Sequence, residues 1–265
     1  MSLIDDVRNY WDAKPCNINH SGSRIGSLNY YNEVEDRKYR VESHILRFAD
    51  FDRWRKGSVL EIGCGIGTDM INFARSGAWV YAVDISALSL KIARERAKVM
   101  GVSNRIKFGC DNAEDLTPWM DYFQNFSFDL IYSFGVLHHI PNYQAAIVNL
   151  SKFASQGTTL KIMVYNRWSL KNLMRPFTDI KDYSEAQPGC PVTHLFSKRQ
   201  IRSLLKEQGW HVEPIITTHI FPYKIAEYKQ GRYKKHWYFE YMPNFLFKFL
   251  ERQLGWHLLV TGVKK

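Results

Sequence analysis

The sequence predicts an α/β fold built on a doubly wound, mainly parallel sheet. Three observations carry this. Apolar runs of strand length alternate with helical patterns from residue 58 onward, the arrangement that puts helices on both faces of a parallel sheet. One junction, Val59-Leu60-Glu61-Ile62-Gly63-Cys64-Gly65-Ile66-Gly67-Thr68, carries three glycines at alternate positions. Glycine lacks Cβ, so it takes φ > 0 and lets the backbone turn tightly against a ligand. The next apolar run ends in Asp84, which such a sheet sets at the tip of the neighbouring strand, about 20 residues on, within reach of a nucleotide's ribose.

In chain order, residues 5–13 form a short helix stopped by Pro15, and 16–29, rich in Gly, Ser and Asn, form a loop. Over 30–51 the apolar residues Tyr31, Val34, Val41, Ile45 and Phe48 recur at helical spacing. A strand at 58–62 leads through the glycine turn to a helix at 69–76. A strand at 79–83 precedes a helix at 87–100 that Gly101 closes as a C-terminal cap. Strands follow at 105–109 and 128–133, a helix at 143–154 and a strand at 158–164. Ser197-Lys198-Arg199-Gln200 reads as a capping box, in which Ser and Gln satisfy free helix amides reciprocally. It opens a helix at 199–208, followed by strands at 211–217 and 256–262.

Two connections, 165–196 and 219–255, exceed the usual length of about 15 residues for a structureless loop in a compact domain. The first leaves from a C-terminal strand end, where open α/β sheets bind their ligands.

The chain has 265 residues, 45% hydrophobic, and a net charge of +10, compatible with nucleic acid, an acidic surface or an anionic small substrate. The basic residues are dispersed, which favours a basic-surfaced enzyme over a nucleic-acid binder. Cys16, Cys64, Cys110 and Cys190 show no Cys-x-x-Cys or His-x-x-x-His pattern, so neither a metal site nor a disulfide framework is expected. No signal peptide and no membrane span is read, and the expected setting is cytoplasmic. Oligomeric state is not legible.

The glycine spacing also bears on the ligand. A dinucleotide fold wants Gly-x-Gly-x-x-Gly over a pyrophosphate, but here the third glycine comes one residue early and Glu61 sits two residues before the first. A carboxylate there suits a cationic group. The stretch resembles the first motif of the class I S-adenosylmethionine-dependent methyltransferases, Glu/Asp-x-Gly-x-Gly-x-Gly. The resemblance covers roughly 58–217 plus the last strand.

That resemblance implies a Rossmann-like seven-stranded sheet with strand 7 antiparallel, and S-adenosylmethionine as cofactor. It places Glu61 near the cationic methionine end, Gly63, Gly65 and Gly67 in the turn, and Asp84, with Ile85 beside it, on the ribose. Cys110-Asp111-Asn112-Ala113-Glu114-Asp115-Leu116 resembles the adenine-contacting turn; alignment puts Asn112 at the family's Asp position, with Ala113 next to it and Asp111 as fallback. Tyr132-Ser133-Phe134-Gly135-Val136-Leu137-His138-His139-Ile140-Pro141 matches the segment where cofactor and substrate meet. Ser133 is read there as a cofactor contact, and His138 and His139 as candidate bases, since imidazole titrates near neutrality. Related enzymes close an N-terminal arm over the cofactor, which makes Tyr30 and Tyr31 candidates for the methionine carboxylate.

The domain reading is an arm or lid at 1–56 and a methyltransferase domain at 57–265, with 165–196 and 219–255 as a substrate cap. The expected reaction is methylation of a small, possibly anionic, molecule at O or N. The Asn/Asp-Pro-Pro-Tyr tetrapeptide associated with exocyclic amines of bases is absent. Two rivals remain: an RNA or protein methyltransferase using the basic and aromatic residues of 219–255, and a non-catalytic nucleotide-binding module.

Overall fold

The computed structural model describes residues 2–117, 119, 126–174 and 189–265. The chain opens with α1 (Leu3–Ala13), α2 (Leu28–Val41) and α3 (His44–Ala49), then enters β1 (Ser58–Ile62). There follow α4 (Thr68–Arg75), β2 (Trp79–Asp84), α5 (Ala87–Val99), β3 (Ile106–Cys110), β4 (Leu130–Phe134), α6 (Tyr143–Lys152) and β5 (Thr159–Tyr165). The remainder comprises α7 (Leu170–Met174), α8 (Lys198–Glu207), β6 (Trp210–Val212), β7 (Ile216–Thr218), α9 (Ile225–Lys229), α10 (Trp237–Glu240), α11 (Asn244–Leu254) and β8 (His257–Lys264). Much of the first long connection, 175–188, lies outside the described residues.

The eight-stranded sheet has the order β3-β2-β1-β4-β5-β8-β6, with β7 also on β8. The pairs β1–β2, β2–β3, β1–β4 and β4–β5 are parallel, and β8 runs antiparallel to β5, β6 and β7. The expected seventh strand is therefore β8. The extra strand arises because the run at 211–217 splits around Pro214, which has no N–H for a ladder.

Alternation along the strands builds two cores. Leu60, Ile62, Ile131, Leu160 and Ile162 pack with α6 and α8 residues such as Ile147, Leu150, Ile201 and Leu205. Val59, Val80, Ala82, Leu130 and Tyr132 pack on the other face with Met70, Phe73, Leu90 and Ala93 of α4 and α5. Glu61 is also an odd-numbered residue of β1 and shares the face of α4.

Two local expectations change. The single helix predicted over 30–51 breaks at Glu42, whose φ of −118° and ψ of 52° leave the helical region. The break brings Glu42 and His44 up against His257. The capping box at Ser197 is half made: Ser197 Oγ accepts from Gln200 N at 3.1 Å, but Gln200 Nε2 turns to the Tyr143 hydroxyl at 3.3 Å. A complete box forms instead at Ser2 and Asp5, which cap α1 reciprocally.

The arm is tied to the sheet by buried polar contacts. Asp69, in the first turn of α4, accepts from Lys38 Nζ at 2.8 Å, the Tyr39 hydroxyl at 3.0 Å and the Tyr132 hydroxyl at 2.9 Å. These partners come from α2 and β4, so one carboxylate pins three elements. The fully buried Arg96 of α5 donates to Thr68 Oγ1, the Tyr31 carbonyl and Glu35. Breaking a buried pair by removing one member strands the other charge. Asp69→Ala is therefore expected to lower stability by about 3–5 kcal/mol, measured as the shift in a urea unfolding midpoint at constant slope.

Candidate active site

The strand order reverses between β1 and β4, and crevices at such switch points take ligands in open α/β sheets. The glycine turn leaves β1 on one side of this point and the segment 135–139 leaves β4 on the other. Gly63 has φ +73°, and a Cβ there would sit 2.2 Å from Val136 Cγ2, so only glycine lets the two turns close together. Gly65 has φ +53°, with no atom within 4 Å of where its Cβ would lie. The turn therefore presents open space beside bare backbone.

Asp84, at the tip of β2, holds that turn. Its Oδ2 accepts from Gly65 N at 2.8 Å and its Oδ1 from Ser86 N at 2.9 Å. Burial raises its pKa against the pull of these two amides. Each oxygen keeps further acceptor capacity, so the carboxylate can serve the turn and a diol together. Ile85 is half-buried beside it, and its carbonyl lies 3.8 Å from Cys110 Sγ.

Glu61 is the electrostatic centre of the site. It is buried, and its Oε2 has no hydrogen-bond partner among the described residues. Burial, then the neighbouring Asp69 carboxylate, push its pKa well above the usual range; Lys38 pulls the other way and Asp84 adds to the rise. Burial lowers the pKa of Lys38, but Asp69, with Glu42 and Glu61, more than offsets this and holds it above its ordinary value. Glu61, Asp69 and Glu42 all act on the single ammonium of Lys38, with Asp84 close to Glu61. A cationic ligand group at Glu61 would relieve the imbalance.

The adenine-type turn is organised locally. Asn112 Oδ1 accepts from Glu114 N at 3.0 Å, an Asx turn that engages the oxygen proposed for a base. Ala113 is buried in the core, its carbonyl 3.4 Å from Asn149 Nδ2. The fallback Asp111 accepts from the Trp119 indole, whose ring lies so close to Gly109 that a Cβ there would meet it at 1.8 Å. Ser133 is fully buried and donates to the Ile62 carbonyl at 3.1 Å, linking β4 to the end of β1.

His138 and His139 form a 3-10 turn after β4. His138 is fully buried and stacks on Tyr165 with ring centroids 3.6 Å apart. Both its nitrogens are buried with no hydrogen-bond partner among the described residues, and burial, then His139 and His194, hold its pKa well below the usual value. His139 Nδ1 lies 2.7 Å from the Val192 carbonyl, which only accepts, so the proton sits on Nδ1 and the basic lone pair on Nε2.

Tyr30 and Tyr31 are placed differently from their expected role. Both are fully buried with Val34, Ile66 and Ile92. Their hydroxyls donate to the carbonyls of Ile18 at 2.7 Å and Ile92 at 3.4 Å. They anchor the arm; aromatic residues at helical spacing more often pack than bind. Among the arm's aromatics the sequence reading chose Tyr30 and Tyr31 over Trp11, and it missed Asp12; both lie in α1. Asp12 Oδ1 accepts from Ser86 Oγ at 2.8 Å and Leu88 N at 3.1 Å, and the Trp11 ring meets His139 edge-on at 5.2 Å. Helix α1 thus bridges the β2 tip and the β4 turn, on either side of the glycine turn. An acid and a tryptophan in a short amphipathic helix give no sequence signal for this.

A family model described as a methyltransferase domain matches residues 34–215, more than half of the chain. A sterol 4-C-methyltransferase of Caenorhabditis elegans is 30% identical over 107 residues, 40% of this chain and 30% of that protein. An ajmaline N-methyltransferase of Rauvolfia serpentina is 28% identical over 128 residues, 47% of this chain and 42% of that protein. This chain spans 25% to 55% of the length of the curated relatives it matches. In structure it resembles a magnesium protoporphyrin IX methyltransferase from Synechocystis PCC 6803 with bound SAH, at a TM-score of 0.63 and 16% identity, covering 99% of this chain and 100% of the other.

The raised pKa of Glu61 gives a test with a definite sign. A carboxyl whose folded pKa is raised takes up a proton on folding. Its ionisation therefore destabilises the fold progressively as pH rises from its unfolded value, 4.5, through the raised one. Glu61→Gln, which mimics the protonated acid, is expected to match the wild type near pH 4.5 and to exceed it by a margin that widens upward. Thermal melts of both proteins across this range, without ligand, give the margin directly.

Proposed function

Because this chain belongs to the methyltransferase domain family, with the class I fold that holds S-adenosylmethionine, we propose that it transfers the cofactor's methyl group to a small-molecule acceptor. The observation that carries the reading is the buried, partnerless Glu61 oxygen beside a glycine turn with open space. That combination suits a nucleotide-linked cation. Glu61 offsets the cationic end, Asp84 accepts from the ribose hydroxyls, and the turn lies against the backbone of the ligand.

When bound, the cofactor supplies a methyl group on a positively charged sulfur, which a lone pair on the acceptor displaces in line. The chain's own part is alignment of the acceptor and exclusion of water. Helix α1 and the rest of 1–56 serve as the lid, and 165–196 with 219–255 as the cap. His139, whose Nδ1 is held against the Val192 carbonyl, is the first candidate to take a proton from the acceptor. His138 is the second.

The cap's packing favours a small acceptor over RNA. Within 219–255, Phe221, Tyr223, Tyr228 and Tyr233 pack on one another. Arg37 lies on Tyr228 at 4.2 Å and Arg40 on Tyr233 at 5.2 Å. These rings and cations are consumed in joining the cap to the arm, so they are poorly disposed as a stacking platform for bases. Trp237, Tyr241 and Phe245, in contrast, are exposed. Among the described residues no helix is long and apolar enough to cross a membrane.

Calorimetric titration with S-adenosylmethionine tests the reading, with NAD as the alternative ligand. Asp84→Ala is expected to weaken binding of the former roughly 10- to 100-fold through loss of charge-assisted hydrogen bonds. Preference for NAD, or no binding, would remove it. His139→Gln is expected to lower kcat by about 10²–10⁴-fold for an acceptor that must lose a proton, with cofactor affinity unchanged. Single-turnover rates set beside the calorimetric Kd separate these effects.

A further inference from the structure

His44, His219 and His257 come from three separate parts of the chain; the first and last lie 213 positions apart. His44 opens α3, His219 follows β7 and His257 begins β8. Folding brings one ring nitrogen from each to within 4.8 Å of the others. His44 Nε2 and His257 Nδ1 stand 3.0 Å apart. Two imidazole nitrogens on one tetrahedral zinc ion sit about 3.3 Å apart, given bonds of about 2.0–2.1 Å. That contact is a hydrogen bond between the two rings, and it holds two of the three nitrogens close to ligand spacing. The third belongs to His219, whose ring lies 4.4 Å from that of His257 at an interplanar angle of 27°, with its ligand atom within 4.8 Å of the other two.

Three further observations point to a ligand here. First, His219 adopts φ +70°, a conformation uncommon outside glycine and concentrated at functional sites. Second, the Glu42 carboxylate lies 3.8 Å from His257 Nε2, on the opposite side of the ring from the nitrogen that faces His44. Metal-bound histidines are commonly oriented by such a carboxylate behind the ring. Third, a cavity of about 480 Å³ is lined by both His44 and His219, with Tyr223, Lys235 and Glu251 among its other walls.

We infer that His44, His219 and His257 bind a divalent transition-metal ion, Zn²⁺ first among them, and leave one coordination position open to the cavity. Three histidines with an open fourth position is the catalytic type of zinc site, not the closed structural type. Glu42 acts as a positioning residue behind His257. An oxygen-bearing acceptor entering the cavity would fill the open position, and this last step rests on the methyl-transfer reading above. The spacing rules that exclude metal from the cysteines do not reach this site, because its ligands share no local motif.

Metal binding is measured on the full chain without S-adenosylmethionine, so its outcome is independent of the methyl-transfer reading. Titration of the chelator-treated protein with Co²⁺ is expected to give one equivalent bound, with the intense visible bands of four or five coordination. Azide is the probe for the open position and is expected to shift those bands. His44→Ala and His257→Ala should abolish the spectrum, Glu42→Gln should weaken Co²⁺ binding roughly 10- to 100-fold, and His211→Ala, an exposed control, should leave it unchanged. Circular dichroism identifies variants that remain folded; the half-buried His44 offers the mildest change to the core. Absence of one-equivalent binding, or binding that survives in folded His44→Ala and His257→Ala, overturns the site. A spectrum indifferent to azide overturns the open position.

Discussion

A single buried carboxylate, Asp69, holds the working parts of this protein in place. It stands in the first turn of α4, where free backbone amides favour negative charge, and it receives an ammonium and two phenols from α2 and β4. Helix α2 carries the arm, β4 carries the histidine turn, and α4 begins at the glycine turn. One residue therefore sets the relative position of the arm, the glycine turn and the histidine turn after β4. Arg96 repeats the design a turn away, between α2, α4 and α5.

The same carboxylate makes the site electrostatically incomplete. Glu61 and Asp84 lie nearby, both buried and both raised in pKa, while Lys38 is committed to Asp69. In a medium of low polarity such an excess of acid is unfavourable until a cation arrives. Stability is thereby exchanged for an affinity that the ligand realises on binding. Asp84 clamps the glycine turn through two amides and keeps acceptor capacity to spare, because a carboxylate has more acceptor sites than the turn uses.

Around this centre the chain has built an enclosure from sequence-distant parts. Helix α1 bridges the tips of β2 and β4 through Asp12 and Trp11, while Arg37 and Arg40 of α2 seat the aromatic residues of the second insertion. A continuous set of rings runs from His138 through Tyr165 to His257. It links the turn after β4 to the histidine cluster at the start of β8. The break at Glu42 that ends α2 is what turns Glu42 and His44 toward that cluster.

The sequence by itself determined the order of strands and helices, the glycine turn, the two acids Glu61 and Asp84 and the family they imply, because each is written in local spacing: period two or 3.6, a glycine where φ must be positive, an acid at the next strand tip. Propensity also showed where connections were too long to be plain loops. It did not show that Tyr30 and Tyr31 pack inward, that Gln200 prefers Tyr143 to its own cap, or that Pro214 divides a strand, since each outcome depends on what the fold brings alongside. Asp69 looked like any acid at a helix start. His44, His219 and His257 carried no signal at all, for their meaning lies in a convergence that only long-range β pairing and the bend at Glu42 produce. Local geometry is encoded by neighbours in sequence, whereas a site made of distant residues exists only once the chain has closed around it.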